Sequence, residues 1–445
     1  MLKIIKSFYI IFLIIILIIS SFNLTVLSDN IEKNTFLSNN KVNMVIITPE
    51  IFAPELDSLI EHKTSFGINT TIKTTENIYI EYKGRDNIEK IKYFIKDAIE
   101  NHNISYVLII GDIDKVPIRT TGLSWDYFGN IAVENVITDL YYADIYNSDG
   151  TFSNWDTNND GIYSEIRMIT NGMEDNETFQ FIDNIDGIPD VGIGRIPCNS
   201  KFDIQNAIKK IISYETNTYN EDWFKRIILM GGDTFPYIGN MSEGEFVGDY
   251  ISTVMSDFNP IKLYASYNNF KPMKINNEIS KGAGFVCYSG HGFQYGFGTS
   301  DYNQEKLIKY YTPFIFGLKN YEKLPIFYLD ACWTGALDFS IGQIKIPSLA
   351  WSLIKKPNGG AIACIASTRV GYGGFEGNPM GAGSPCMNAC FFESYEPGIY
   401  LSDIFVNAQK KYIDKVWNNV FTDCLTLQEF ILLGDPTLKV GGYNL

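Results

Sequence analysis

Histidine is almost missing from this chain: His62, His102 and His291 are the only three in 445 residues. Imidazole chemistry therefore has few places to occur. A basic run is missing too, and 36 Lys+Arg against 51 Asp+Glu leave a net charge of −15. That balance argues against nucleic acid as the main partner. Beyond residue 30 no hydrophobic stretch approaches the ~20 residues that span a bilayer, so the body reads as soluble. Metal-binding cysteine pairs are lacking as well. Cys386 and Cys390 stand as C-x3-C with no second pair and no nearby histidine, which disfavours zinc. What is present, 45% hydrophobic and 20% charged residues, is globular composition rather than disorder. At ~100–200 residues per domain, the length points to two or three structural units.

The start of the chain has to be set aside. Lys3 and Lys6 precede Phe8–Ile19, which is apolar throughout apart from Tyr9, and Ser20-Ser21 follow. This is the signal-peptide pattern. Phe22, Leu24, Val26 and Leu27 extend the apolar character weakly, so residues 1–30 are expected to be a signal peptide or an uncleaved N-terminal membrane anchor. A secreted or cell-surface protein is expected, touching a membrane only through that segment. Seven cysteines, an odd number, leave at least one thiol in an exported chain unpaired or bonded to another molecule. Cys287 and Cys364 sit in apolar runs and read as buried small hydrophobes.

The body alternates strands and helices. Residues 44–48, 70–74 and 107–110 read as strands, with helical patterns at 56–67 and 85–101 between them, the latter through Ile88, Ile91, Phe94, Ile95 and Ile99. A βαβαβ unit implies parallel pairing with right-handed crossovers. An Asp/Asn-rich, loop-rich insertion (about 120–190) precedes a further strand at 191–194 and a helix at 203–214. A second cycle begins near Trp223, with strands at 226–230, 285–288, 326–329 and 361–364. The near-continuous apolar strands fit parallel sheets covered on both faces. The expected class is α/β, with mostly parallel sheets flanked by helices, in two adjacent units at 43–218 and 219–442.

Ligands of open α/β sheets bind beyond the carboxyl ends of the strands. One apolar run ends in Ser289-Gly290-His291-Gly292 and the next in Asp330-Ala331-Cys332-Trp333. His291 and Cys332 are 41 positions apart, one strand–helix–strand step. An imidazole that takes a thiol proton creates a thiolate nucleophile. The flanking glycines let a substrate approach the main chain and leave an amide for an oxyanion. Taken singly, a strand-end cysteine and a turn histidine read as packing. Together on successive strands they read as a catalytic pair.

These segments resemble the caspase–gingipain clan of cysteine peptidases, and most closely the gingipain family. Tyr288-Ser289-Gly290-His291-Gly292 with Gly298-Thr299-Ser300 is similar to its histidine block, and Pro325–Cys332 to its nucleophile block. Ile365-Ala366-Ser367-Thr368, Leu433–Leu438, Tyr106–Pro117 and Val191–Arg195 match further segments, so the resemblance covers about 43–440. It implies a caspase-like fold and a cysteine endopeptidase acting on proteins or peptides through a thioester. Cys332 would be the nucleophile and His291 the proton carrier, with the amides of Gly292 and Cys332 at the oxyanion. The histidine-orienting carboxylate falls at Asp233, where the family usually has Glu. Glu243 and Glu245 stand where arginine- or lysine-directed relatives place an acidic pocket residue, and Tyr372 near an aromatic pocket wall. Residues 31–42 are short for the propeptide of secreted gingipains, so latency is expected to rest elsewhere.

A separate signal lies in the insertion. Asp156-Thr157-Asn158-Asn159-Asp160-Gly161 has oxygen ligands at alternate positions and a glycine for the turn, as a hard Ca2+ ion requires. Asp156, Asn158, Asp160 and Glu165 are the expected ligands of a structural ion, and an Asx turn without metal is the other reading. No organic cofactor is expected. Two alternatives to a general peptidase stay open: a peptidase-like binding module without turnover, and a self-processing maturase of exported proteins.

Overall fold

The computed structural model describes residues 44–127, 130–170, 177–183, 185–236, 241–300, 306–373, 378–416 and 421–445. The expected signal or anchor segment, 1–30, lies outside them. Among the described residues no helix is long and apolar enough to cross a membrane.

Ten strands form the central sheet: β1 (Met44–Thr48), β2 (Thr70–Thr74), β3 (Tyr106–Ile110), β4 (Gly192–Ile196), β5 (Arg226–Gly231), β6 (Asn259–Tyr264), β7 (Phe285–Ser289), β8 (Ile326–Asp330), β9 (Ala363–Ser367) and β10 (Phe430–Leu433). Their spatial order is β6-β5-β7-β8-β9-β10-β4-β3-β1-β2. The segments 43–218 and 219–442 thus contribute four and six strands to one sheet. Every neighbouring pair is parallel except β9 and β10. Because β10 is antiparallel to β9 but parallel to β4, strands β1–β4 run in the opposite sense to β5–β9. The seam is narrow, with one residue pair, Leu433↔Arg195, joining β10 to β4. Strands β1, β7, β8 and β9 are buried along their whole length. Cover on both faces is why their sequences do not alternate.

Helices pack on the sheet where the apolar period predicts. In α1 (Asn87–His102), Asp86 caps the start by accepting from the Glu89 amide at 2.8 Å, and Asn103 ends it in the left-handed conformation at φ 52°. Ile91, Phe94, Ile95 and Ala98 are its buried stripe. Ser200 caps α2 (Lys201–Asn217) by accepting from the Asp203 amide at 3.2 Å. Two more helices bear on the site, α3 (Glu243–Val254) and α4 (Phe421–Glu429). The closing Gly434-Asp435-Pro436-Thr437 segment is a structural tie. Asp435 pairs with the fully buried Lys63 at 2.6 Å, and Lys63 also pairs with buried Glu215 at 2.7 Å.

The insertion differs from its loop-rich expectation. It holds a four-stranded sheet, ordered Asn130–Thr138, Arg119–Tyr127, Tyr163–Thr170, Glu177–Phe181. Thr, Ser, Asp and Asn interrupt these segments, so no apolar run announces them. The insertion is stitched to the main body beyond β9. Thr368 Oγ1 donates to the Ile137 carbonyl at 2.8 Å, and Thr121 Oγ1 to Gln428 Oε1 in α4 at 2.7 Å.

Candidate active site

Strands β7 and β8 pair in register from Phe285↔Ile326 to Ser289↔Asp330. His291 and Cys332 each follow two residues later, so both leave the sheet at one level. Below them the Ser289 hydroxyl donates to the buried Asp330 carboxylate at 2.7 Å. Burial pushes the Asp330 carboxyl up to about 6, a rise that the Ser289 bond partly opposes. Gly290, at φ +150°, has a conformation that L side chains rarely adopt, and a Cβ there would lie 2.6 Å from the Tyr288 hydroxyl. A Cβ on Gly292 would lie 2.4 Å from the Cys332 carbonyl oxygen. The two reactive segments therefore touch through their main chains, which only glycine permits. Beyond Cys332, Trp333 takes φ +62° and donates its amide to the Arg369 carbonyl at 2.8 Å. A left-handed aromatic residue stores about 1–3 kcal/mol of strain, and here it forms the turn on which Cys332 sits.

The described partner of the His291 ring is main chain: Nε2 lies 2.8 Å from the Thr234 carbonyl oxygen. A carbonyl only accepts, so Nε2 carries a proton, and in the tautomer without a second proton the lone pair is on Nδ1. Phe235 meets the ring edge-on at 5.9 Å between centroids. Asp233 is one residue before Thr234, and its own carbonyl accepts from Thr299 Oγ1 at 3.2 Å. Burial raises the Asp233 carboxyl, and the neighbouring Glu243 and Glu245 raise it further. Of the three acids expected from sequence, Asp233 and Glu243 adjoin the Thr234 segment that meets His291, and Glu245 is near enough to Asp233 to raise it. Glu243 is buried, and its Oε2 accepts the Thr234 amide at 3.0 Å. Glu245 accepts from the amide and hydroxyl of Ser266.

All seven cysteines are free thiols, and Cys332 alone is not fully buried. Its Sγ lies 3.7 Å from the Gly371 carbonyl oxygen, to which the thiol donates. Burial, then the charge of Glu429, push the Cys332 thiol up to about 11. At neutral pH the resting group is therefore the protonated thiol. Glu429 ends α4 fully buried, and its Oε1 accepts from Ser384 Oγ at 3.3 Å. Tyr372 follows Gly371, and its side chain packs against Val136, Ile166, Cys424 and Leu425 between the insertion and α4.

The Asp-rich turn of the insertion is held by the protein itself. Asp156 is 2% exposed, takes Arg85 Nη1 on Oδ2 at 2.7 Å, and accepts the Asp160 amide on Oδ1 at 3.1 Å. Asn158 Nδ2 donates to Asp160 Oδ2 at 2.8 Å, and Glu165 pairs with Arg167 at 2.8 Å. Gly161, at φ +85°, makes the turn. Asp183, not anticipated from sequence, accepts the amides of Thr157 and Glu165 beside it. Among the described residues no three His, Cys, Asp or Glu side chains are gathered as metal ligands.

Four participants escaped the sequence reading: Thr234, Gly371, Trp333 and Glu429. The first two act through carbonyl groups that every residue carries, and so have no side-chain signature. Trp333 is marked by its backbone angle alone. Glu429 is brought in by α4 from nearly 100 residues downstream.

A family profile described as Peptidase family C25 matches residues 37–441. Gingipain R2 of Porphyromonas gingivalis is 23% identical over 335 residues, 73% of this chain and 36% of that protein. Gingipain R1 of the same organism is also 23% identical, over 73% of this chain and 27% of its own length. The chain thus spans about a third of the length of the curated relatives it matches. Among solved structures, the Arg-specific cysteine proteinase gingipain R (RgpB) superimposes with a TM-score of 0.64 at 22% identity, covering 91% of this chain and 79% of that one. The complex of P. gingivalis RgpB pro- and mature domains gives 0.62 at 21%, covering 89% and 79%. These likenesses bear on the fold, which is the caspase-like α/β arrangement. With the profile spanning almost the whole described body, the chain belongs to Peptidase family C25.

Proposed function

We propose that the protein is a cysteine endopeptidase in which Cys332 and His291 cleave peptide bonds. The observation that carries this is the common register of β7 and β8, which delivers both groups to one place on neighbouring strands. The protonated resting thiol makes His291 a general base rather than half of a preformed ion pair. As Sγ attacks the scissile carbonyl, Nδ1 takes its proton, while Nε2–H stays on the Thr234 carbonyl. The amides of Gly292 and Cys332 receive the oxyanion. The imidazolium then protonates the leaving amine as the C–N bond breaks, giving a thioester. Water, deprotonated by His291, hydrolyses it to a carboxylate and restores the thiol.

Asp233, Glu243 and Glu245 make the surroundings of His291 acidic, which favours a basic side chain before the cut. The Arg-specific relative supports arginine there, and Glu245 is the acid we assign to that contact. The decisive test is cleavage of a mixed peptide library by residues 31–445 under reducing conditions, beside Cys332→Ala. Cleavage after Arg or Lys that vanishes in the mutant is expected. Cleavage that survives Cys332→Ala removes the mechanism, and cleavage after other residues removes the acidic pocket. One contact favours the alternative of a binding module, the donation of the thiol to the Gly371 carbonyl at 3.7 Å. Failure of both proteins to cut would favour that reading.

Export through residues 1–30, with the body outside the cell, is part of the same proposal and rests on the basic-then-apolar start of the chain. So is Ca2+ at the Asp-rich turn, with Asp156, Asn158, Asp160 and Glu165 as oxygen donors. Its role would be to order an insertion that borders the Cys332 loop, and Arg85 would have to yield Asp156 to it. At ~1 mM Ca2+, the affinity range of extracellular modules, thermal unfolding should move upward. An unchanged midpoint removes the ion.

A further inference from the structure

Glu243 stands in the first turn of α3, is 7% exposed, and has no ion pair among the described residues. Burying a carboxylate is costly unless hydrogen bonds meet it, and the bond it makes is specific. Its Oε2 accepts the Thr234 amide at 3.0 Å, and the carbonyl of the same residue holds His291 Nε2 at 2.8 Å. Thr234 is thus gripped at its N–H by one side chain while its C=O grips the imidazole.

The helix that brings Glu243 there is itself fixed to the sheet. The Gly244 amide donates to the Gly232 carbonyl at 3.1 Å. A Cβ on Gly231 would come within 2.5 Å of the Gly244 carbonyl carbon, and one on Gly244 within 2.4 Å of the Ser289 carbonyl oxygen. Two glycines therefore let the start of α3 lie directly on the ends of β5 and β7. The β7 end is the strand that leads into His291. Glu243 is delivered by a rigid element, and its position is coupled to the position of the histidine from both sides.

We propose that Glu243 is a positioning residue for His291, acting through Thr234, rather than an acid on the floor of a substrate pocket. Its carboxylate sets the plane of the 234 segment, that segment sets the ring, and the ring must meet the thiol proton within hydrogen-bond reach. The inference rests on the Cys332–His291 reading and deepens it.

The two roles separate kinetically. Glu243→Ala and Glu243→Gln of the full chain should be compared with wild type on two peptides that differ only in Arg or a neutral residue before the cut. A glutamine keeps an oxygen that can accept the Thr234 amide but loses the charge. Positioning predicts that Glu243→Ala loses ~10–100-fold in kcat on both peptides, the scale of a small misplacement of a catalytic group, with KM and the preference between peptides unmoved. Glu243→Gln should recover most of that kcat. A loss confined to the Arg peptide, carried by KM and shared by both variants, would overturn the proposal in favour of a pocket acid. Full activity in Glu243→Ala would overturn it outright. If the alanine variant does not fold, Glu243→Gln decides alone, because a pocket acid predicts a lost Arg preference there and positioning predicts a kept one. Cys332→Ala run in parallel isolates the underlying reading: activity surviving in that variant removes the dyad whatever Glu243 does.

Discussion

Gly111 follows β3 at φ +146°, and Gly290 follows β7 at φ +150°. Both release the chain from a buried parallel strand by the same turn, one in each half of the sheet, yet what lies beyond them differs. After Gly111 the space is saturated. The fully buried Arg195 donates to the Gly111 carbonyl at 3.2 Å, to the Val116 carbonyl at 2.8 Å, and to both oxygens of Asp139 at 2.7 and 2.8 Å. Asp112, the residue matching His291, caps its own turn by accepting the Asp114 amide at 3.1 Å. After Gly290 the chain instead carries a half-buried imidazole, and the neighbouring strand carries a thiol on a left-handed turn at the same level of the sheet. The comparison teaches that the strand-end turn is only a launching geometry. A guanidinium–carboxylate network can close such an edge, whereas the proposed Cys332–His291 pair would make it reactive.

Exchanging the consequences of the two edges is the strongest way to break this view. His291→Ala should lower turnover by ~10^4-fold or more, as for members of a catalytic unit, with the thermal midpoint nearly unchanged. Arg195→Met should do the reverse. Leaving Asp139 buried without its partner costs ~3–5 kcal/mol, readable by denaturant unfolding, while activity per folded molecule persists. A stable Arg195→Met protein that has lost activity would show that the two edges are not separate in kind.

A smaller effect sharpens the parallel between the glycines. Gly290→Ala and Gly111→Ala should each lose about 1–3 kcal/mol of stability from the enforced backbone angle. Only Gly290→Ala should also lose kcat, because the added methyl displaces Tyr288 and the segment leading to His291. Equal kcat losses would mean that the turns, rather than their occupants, set the chemistry. The smallest effect concerns the thiol. Its folded pKa is raised, so the fraction of thiolate grows as pH climbs toward about 11. Alkylation of Cys332 by iodoacetamide should rise over that range. Glu429→Gln removes a negative charge beside the thiolate, so at fixed pH it should speed alkylation by ~3–10-fold, a shift of up to one pKa unit. A slower reaction in that variant would reverse the sign assigned to Glu429.

Much of the sheet was legible because its strands are buried on both faces. The expected strands at 44–48, 70–74 and 226–230 lie within a residue of β1, β2 and β5, and the expected helix at 85–101 is α1 at 87–102. Two strands of the same sheet were not legible. Asn259-Pro260 opens β6 with residues that suit an edge rather than a core strand, and β10 is four residues attached directly to α4. The insertion sheet was hidden by its polar composition. At the site, the placement of His291 and Cys332 could be read from strand ends and spacing. The engagement of Glu243 and Glu245 could not, because an acidic residue early in a helix looks the same whether it faces substrate, solvent or a neighbouring amide.

The strand β10 has a consequence for how the molecule comes together. It lies between β9 and β4, yet it is the final strand in sequence among the ten. Before residues 430–433 dock, each half of the sheet ends in an open ladder of unpaired amides and carbonyls. Such edges recruit strands from other molecules. A nascent or clipped chain that stops short of Phe430 should therefore expose two sticky half-sheet edges, readable as aggregation of that variant. The residue before that strand, Glu429, is also the one whose charge bears on Cys332, so closing the seam brings the last neighbour to the thiol.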